Sequence, residues 1–574
     1  MLRISSFIIL ISLFIYSCAN QSSPTGGPKD EDPPQLVSSD PSQGEINFTG
    51  DKVILEFDEF IKTDNPKEQI LITPRIEQDY TFKYKKNRVI ITFDEPLKDS
   101  TTYSINFREG VKDITEGNAP ENLVLAFSTG PYLDSMSIEG NVNYLVTNKL
   151  AEDVTVSLYN ADDTLNIFNS PPIYLTKTDK EGKYQFRNLK VGKYKIYAVN
   201  DKNKNLILDS KTESYGFRSS ILPLDTNLID INMPMIAMDV RPFEYQSARQ
   251  SGTTYNIKFN KYIDNYSISR TDSSKEIFSN ITSDDPNTIK VYNNILEDSV
   301  QVILQATDTT GTTLAEQLYV KFEQSSRKPS AFESKGEIKP VLSTVPQLDV
   351  LLAFNKPVQY SNKDSIYLFL DSANIVFMTE ENFTWNTHRT ELEVRYDIDP
   401  SLFVQQDNKN ITASERYNKA SKKPEPTDTA AQAKPKQPDP KPFFYASKGS
   451  FISIEGDSSK KYESNLSFNK PDQLATLLVS IQTERENYFV QLVNNKNEVI
   501  AKRANEKEFK FTNIKPGDYK LRVLIDSNNN GIWELGNIMT NDEPEPIVFY
   551  KSSEGNETVT LRANWEVGPT VISF

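Results

Sequence analysis

Residues 186–201, FRNLKVGKYKIYAVND, recur as residues 511–526, FTNIKPGDYKLRVLID. Phe186, Asn188, Lys190, Gly192, Tyr194 and Lys195 fall on Phe511, Asn513, Lys515, Gly517, Tyr519 and Lys520 at one constant offset. A duplication this far apart makes the chain modular, because each copy must build its own core from its own neighbours. In each copy Tyr194, Ile196 and Ala198, or Tyr519, Leu521 and Val523, share one face of a period-two segment, the pattern of a half-buried strand. The stretch TKTDKEGKYQF (176–186) reads as a hairpin turn leading into the first strand. Tyr, Phe, Thr, Ile and Val are plentiful elsewhere, turns rich in Asn, Asp, Gly and Pro recur, and long helical periodicities are hard to find. An all-β chain is expected, with room in 574 residues for about four or five domains.

A second repeat is shorter. VILEFDEFI (53–61), YNIKFNKYI (255–263) and LLAFNKPV (351–358) share an apolar strand, a Phe, an Asp or Asn, and a charged residue. Asp58 and Glu59 invite a paired-carboxylate reading, since glycosidase chemistry needs only two acids. Their counterparts are Asn260-Lys261 and Asn355-Lys356, so the acids are not kept between copies. The favoured reading is an edge-strand charge that discourages aggregation.

The N-terminus, MLRISSFIILISLFIYSCAN, has one cation, an apolar run from Phe7 to Tyr16, and then Cys18, the sole cysteine. The run is too short for a bilayer-spanning helix and has the proportions of a secretion signal. It resembles a bacterial lipobox, which implies that Cys18 carries palmitate-type acyl chains and becomes the mature N-terminus, held firmly in the membrane. Behind it, ANQSSPTGGPKDEDPP is a Pro/Gly/Ser tether. The net charge of −15 argues against nucleic acid, whose phosphates need a cationic surface.

Further resemblances divide the chain. Thr178 to Tyr194 follows the pattern T-D-x-x-G-x-Y-x-F-x-N-L-x-x-G-x-Y of the carboxypeptidase regulatory-like, or prealbumin-like, β-sandwich; the C-terminal copy has ANEKEFKF where the T-D-x-x-G segment would stand. PPQLVSSDPSQGE, ITPRI, LKDSTTYSINF, VKDITEGN and AFSTG, spread over residues 33–130, resemble the S-layer-type bacterial Ig-like domain. The other two copies of the short repeat lack the D-x-x-G-N segment and the closing F-S-T-G. The expected order is signal peptide 1–17, lipid-anchored tether 18–32, Ig-like 33–130, prealbumin-like 132–235, Ig-like 236–330, Ig-like 331–470 with a disordered insertion at 405–442, and prealbumin-like 471–574. This is a serial array of β-sandwiches behind a lipoprotein signal. The insertion is rich in Lys, Pro, Ala and Gln and cannot bury enough apolar surface to fold.

The duplicated unit also carries an oxygen-rich loop. Asp526, Asn528, Asn530 and Glu534, and in the first copy Asp201, Asn203, Asn205 and Asp209, occupy positions that begin a calcium loop. The final EF-hand ligand is replaced by Asn537 or Thr212. Two readings stand: a weak structural calcium site, or a polar turn of the kind Asn and Asp favour. His388, the only histidine, sits in FTWNTHRTELEV and reads as a solvated hairpin residue. No phosphate loop or nucleophile motif is found, and no enzyme is expected.

SPTGGPKDEDPP (23–34) resembles the N-terminal run of uncharacterised outer-membrane lipoproteins of the Bacteroidota. The resemblance implies a lipid-anchored protein at the cell surface or on the periplasmic face. It is expected to serve as a non-enzymatic scaffold or accessory subunit of an outer-membrane complex, such as a β-barrel assembly or export machine. The alternative is an adhesion or glycan-binding lipoprotein, with Trp385 and Trp533 as candidate ligand-loop aromatics. The tripeptide at Thr429 resembles the O-glycosylation acceptor of that phylum.

Overall fold

The computed structural model describes residues 31–63, 65–120, 123–209, 211–272, 276–294, 298–371, 374–400 and 441–574. Cys18, the signal segment, most of the tether, Thr429 and most of the insertion lie outside the described residues. Apart from the short helix Pro66–Gln69 and three 3-10 turns, regular structure among the described residues is strand. No helix among them is long and apolar enough to cross a membrane. The side chains collect in five separate apolar cores, running Phe48 to Phe127, Ile138 to Met235, Phe243 to Val320, Phe332 to Leu466 and Ala475 to Ile572. They define five units in chain order, all of sandwich type.

The first, third and fourth units open with the same sheet. Its strand order is Leu36–Asp40, Lys52–Phe57, Arg88–Phe93, Tyr80–Lys85 in the first unit and Tyr245–Ser251, Thr254–Phe259, Asp285–Tyr292, Ser279–Thr282 in the third. In the fourth it is Ser334–Ile338, Gln347–Phe354, Glu391–Asp397, Phe383–Trp385. Alternation does the work: Val53, Leu55 and Phe57 point inward and are 0–1% exposed.

The residue after the shared Phe is a latch. Asp58 accepts a hydrogen bond from the Gln35 backbone N–H (2.8 Å), Asn260 from Glu244 (2.9 Å) and Asn355 from Glu333 (2.9 Å). In return their own N–H groups donate to the carbonyls of Gln35, Glu244 and Glu333, each at 3.1 Å. The two asparagines also donate through Nδ2 to Pro242 and Ala331. Asp or Asn is required because only a short side chain with an acceptor oxygen reaches the neighbouring backbone.

The edge-charge reading of Asp58 and Glu59 does not extend to the lysines that stand at the next position in the other copies. Lys261 is 3% exposed, with Nζ 2.5 Å from Asp308, and Lys356 is 1% exposed between Glu455 and Asp457. Strand register shows why: Ile61 faces Asp113, Ile263 faces Asp308 and Val358 faces Ser453. Asp308 thus stands where Asp113 stands, and the third unit has its own version of the D-x-x-G turn, DTTGT at 308–312. Asp113 accepts N–H bonds from Glu116, Gly117 and Asn118, and Asp308 from Thr310 and Thr312.

The second and fifth units share one topology. Lys183–Leu189, Met136–Tyr144 and Met233–Met235 form a three-stranded sheet whose last pair is parallel, matched by Glu508–Ile514, Ala475–Gln482 and Glu566–Ser573. The facing sheet runs Tyr174–Lys177, Thr155–Asn160, Gly192–Val199, Tyr215–Phe217, matched by Val499–Ala504, Tyr488–Asn494, Gly517–Ile525, Ile547–Phe549. Tyr194 Oη donates to the Lys190 carbonyl at 2.8 Å and Tyr519 Oη to Lys515 at 2.7 Å. Asn188 and Asn513 both take left-handed φ, 56° and 61°, a conformation asparagine tolerates better than most residues. The hairpin at 176–186 is corrected too. Tyr174–Lys177 and Lys183–Leu189 pair into different sheets, so the turn is a corner that carries the chain across the sandwich.

Asp113 supplies a test of the first unit. Burial pushes its pKa up, but the N–H bonds of Gly117, Asn118 and Glu116 outweigh burial and hold the carboxyl below its usual range. A depressed carboxyl contributes stability above about pH 4, lost as pH falls through the folded value. Asp113→Ala should therefore advance urea unfolding of the first unit by about 1–3 kcal/mol at pH 7. The deficit should shrink in strong acid, as followed by peptide-resolved hydrogen exchange.

Candidate functional site

The second and fifth units touch. The loop between Gly517–Ile525 and Ile547–Phe549 is longer than its counterpart in the second unit. Its extra length carries Leu535 and Ile538 onto the second unit. Ile538, 7% exposed, joins a sixth apolar cluster with Ile167, Leu208, Tyr215, Phe217, Ile236 and Val240. Trp533, Leu535 and Ile547 pack around it. Burial and the neighbouring backbone of Ile538 act in opposite directions on the Tyr215 phenol; burial wins and pushes its pKa up to about 12.

A polar rim surrounds the plug. Glu543 accepts from the N–H and Oγ of Ser219 at 2.7 and 2.8 Å, and Asn541 donates to the Ser219 carbonyl at 3.0 Å. Across the contact, Arg522 donates to the Val146 carbonyl (2.9 Å) and Asn148 to Glu557 (2.7 Å). Gly536 has φ +67°, and a Cβ there would meet the Asp542 carbonyl oxygen at 2.4 Å, so the loop needs glycine at this point.

The oxygen-rich loops lie beside this contact. Asp526, 2% exposed, accepts N–H bonds from Asn530 and Gly531, while Asn528 and Asn530 turn Nδ2 onto Glu534 at 2.7 and 3.0 Å. Asp201 likewise accepts from Asn205 and Leu206, and Asn203 and Asn205 donate to Asp209. The predicted residues are thus brought together in both copies. Buried glutamates that the sequence reading missed finish the loops: Glu545 takes the N–H groups of Ser527, Asn528 and Glu534, and Glu213 takes that of Lys202. They lie at different distances along the chain from their loops, so alignment of the copies does not reveal them. Among the described residues no three His, Cys, Asp or Glu group in a way that could hold a metal ion.

His388 is not a solvated turn residue. Its ring stacks on Tyr266 of the third unit, centroids 4.7 Å apart and 7° from parallel, and Tyr266 Oη lies 3.3 Å from Nδ1. Burial lowers its pKa. Nearby, Asn280 and Tyr292 of the third unit donate to the Asn355 carbonyl, so the histidine sits in a joint between units. Trp385 packs in the fourth core, 5.8 Å from Phe354, under the Arg389 guanidinium. Trp533 donates to the Glu545 carbonyl. Neither lies on an open loop end.

The aromatic surface lies elsewhere. Asn374–Phe377, Ile366–Asp371, Phe443–Ala446 and Tyr462–Asn465 form one sheet of the fourth unit. Ile366, Leu368, Phe444 and Ala446 point into the core. The alternate residues Tyr367, Phe369, Ile375, Phe377, Phe443 and Tyr445 share the opposite face. Phe369 stacks on Phe443 (4.8 Å) and Tyr367 on Tyr445 (5.0 Å), while Ile375 and Phe377 are 47% and 56% exposed. The signal was present in IYLFL (366–370) and FFYA, which are apolar at every position, as strands covered on both faces are.

Between the first two units runs a cleft of about 510 Å³, lined by Thr73, Ser104 and Asn106 on one side and Lys177, Lys183 and Arg187 on the other. Arg108–Asp153 (2.8 Å) and the Arg75 N–H to the Ile173 carbonyl (2.7 Å) hold its walls together.

The five sandwiches form a serial array, and the first of them matches a known family. Residues 30–129 match the bacterial Ig-like domain family. In structure the chain is similar to the N-terminal part of the bacterial S-layer protein SbsC, at 14% identity, 51% coverage of this chain, 44% of that one and a TM-score of 0.13. It is similar also to domains 1–6 of surface layer protein SbsC, at 12% identity, 85% and 63% coverage and a TM-score of 0.13. A third is BcpA, the major pilin subunit of Bacillus cereus, at 9% identity, 76% and 99% coverage and a TM-score of 0.12. The chain therefore spans less than two thirds of the length of either SbsC structure. No curated protein matches the sequence.

Ile538→Asp tests the contact between the duplicated units. A carboxylate forced into the Tyr215–Phe217 pocket must be expelled. The expected result is an increase in radius of gyration by small-angle scattering and faster proteolysis within 533–543, with far-ultraviolet circular dichroism unchanged.

Proposed function

We propose that the chain is a non-enzymatic, lipid-anchored scaffold of the outer membrane that docks a protein partner on the aromatic face of its fourth unit. That face is the observation that carries the reading. Six apolar or aromatic residues on one sheet surface are more than scattered exposure requires, and aromatic clusters dominate protein interfaces. The chemistry asks for an apolar, neutral or weakly cationic partner surface, such as the periplasmic or extracellular parts of a β-barrel complex. Anchoring at Cys18 keeps the scaffold near such a partner. Affinity capture of the tagged full-length chain from solubilised outer membranes tests this. The wild type should retain a barrel protein in stoichiometric amount, and Ile375→Asp with Phe377→Asp should lose it by about tenfold or more. Retention on polysaccharide without a protein partner would favour the glycan-binding alternative.

We propose further that the two Asp/Asn loops are turns closed by their own hydrogen bonds, with calcium as a weak, optional ligand. Their oxygen donors suit a hard cation, but each four-residue set supplies only two carboxylates, and Asp526 is already committed to two N–H bonds. Calcium at a few times a millimolar dissociation constant would add about 1 kcal/mol or less. Differential scanning calorimetry of the full chain should show a small midpoint rise with millimolar calcium and no unfolding with chelator.

A further inference from the structure

Lys356 is 1% exposed, and its Nζ lies 2.6 Å from Glu455 Oε2 and 3.0 Å from Asp457 Oδ2. The two acids differ. Glu455 is 10% exposed, and among the described residues its Oε1 has no hydrogen-bond partner. Asp457 is 33% exposed, with Oδ1 bonded by Ser453 Oγ, Oδ2 by Lys356 and its backbone carbonyl by the Ser453 N–H. Its carboxyl is therefore held against the amine while one side opens to solvent. The third unit is the internal contrast. Lys261 pairs with Asp308, whose other oxygen is occupied by the Thr310 and Thr312 N–H groups, and among the described residues no second acid is bonded to that amine.

We propose that Lys356 and Asp457 condense to an amide in the folded chain, with Glu455 as the proton-transfer group. The bond formed is Nζ–Cγ and the bond broken is Cγ–Oδ2. Two of the three ammonium protons leave with Oδ2 as one water. Glu455 relays them one at a time through Oε2, the oxygen that faces the amine, and ends in the state in which it began. No oxidant, reductant or co-reactant is needed. Proximity supplies the rate, because a fixed amine and carboxyl react as an effectively unimolecular pair. Burial supplies the direction: the reaction removes two charges from a site that solvates them poorly, and the water escapes on the open side of Asp457. The amide would join the ends of Val358–Ser361 and Phe451–Ser453, strands already paired at Val358 and Ser453.

Peptide mass mapping of the full-length folded protein tests this without relying on any variant. Trypsin does not cut at Lys356-Pro357, so Lys356 falls in peptide 336–363 and Asp457 in peptide 449–460. The expected product is these two peptides joined and lighter than their sum by one water, with fragment ions placing the link at Lys356 and Asp457. In Glu455→Gln, which keeps the shape and loses the proton relay, the two peptides should separate. Recovery of both peptides unlinked from the wild type would overturn the proposal, as would a link that survives in Glu455→Gln.

Discussion

Ile538 is where the chain stops being a string of independent sandwiches. Each unit has a complete core without it, yet this side chain seats the fifth unit against the second. The energetics are finely set. Burying one isoleucine contributes about 1.5–3 kcal/mol, and the bonds from Ser219 to the Glu543 carboxylate add about 1.5–3 kcal/mol each at most. Against this stands Arg522, which is 6% exposed and is held by two neutral acceptors, Gln491 and the Val146 carbonyl. Burial lowers its pKa, which marks a guanidinium partly stripped of water. A contact with favourable and unfavourable terms of similar size is what an interface between domains of one chain ordinarily shows. It positions units more than it stabilises them.

How much of this could be read in advance follows the range of the interactions. The duplication was legible because Tyr194 and Tyr519, and Asn188 and Asn513, do local work: a bond to a carbonyl four residues back and a left-handed turn. The all-β fold was legible from period two. The Asp/Asn loops were legible as turns for the same local reason. The role of the Asn-Lys pair was not, because Lys356 is explained by Glu455 and Asp457, a hundred residues further on, and no local pattern joins them. His388 was misread for the same reason: its partner, Tyr266, belongs to another unit. The aromatic sheet went unnoticed because a run such as IYLFL states that both faces are apolar without stating what covers them.

The first, third and fourth units show one scaffold position filled by three chemistries. After the shared Phe, Asp58, Asn260 and Asn355 make the same backbone latch, so the position is fixed by geometry. The residue that follows, Glu59, Lys261 or Lys356, meets a corner whose occupant changes from Asp113 to Asp308 to Ser453. Where the corner Asp holds only its own turn, as at Asp113, backbone N–H groups bond both of its oxygens. In the third unit the same Asp holds its turn with one oxygen and a lysine with the other. In the fourth, Ser453 replaces the acid, and Glu455 and Asp457 supply the counter-charge from the following turn. Removing one member of such a pair costs more than the pair is worth, since the survivor is left buried and uncompensated. The positions must therefore change together, and their variety within one chain is evidence of that coupling.

The location of the aromatic face bears on how a partner could approach. The chain is strongly acidic, at −15, and long-range fields steer encounter more than they set affinity. An anionic body repels anionic surfaces until a short-range attraction takes over, and within about 10 Å of screening at ordinary salt the apolar face is the strongest such attraction described. Tyr367, Phe369, Phe443 and Tyr445 are already stacked on one another, so their rotamers are fixed before any partner arrives. The entropy normally lost in ordering interface side chains, about 0.5–1.5 kcal/mol for each flexible one, is largely spent in folding. A rigid aromatic surface on an acidic body favours a partner that is apolar at the contact and discriminates against polyanions.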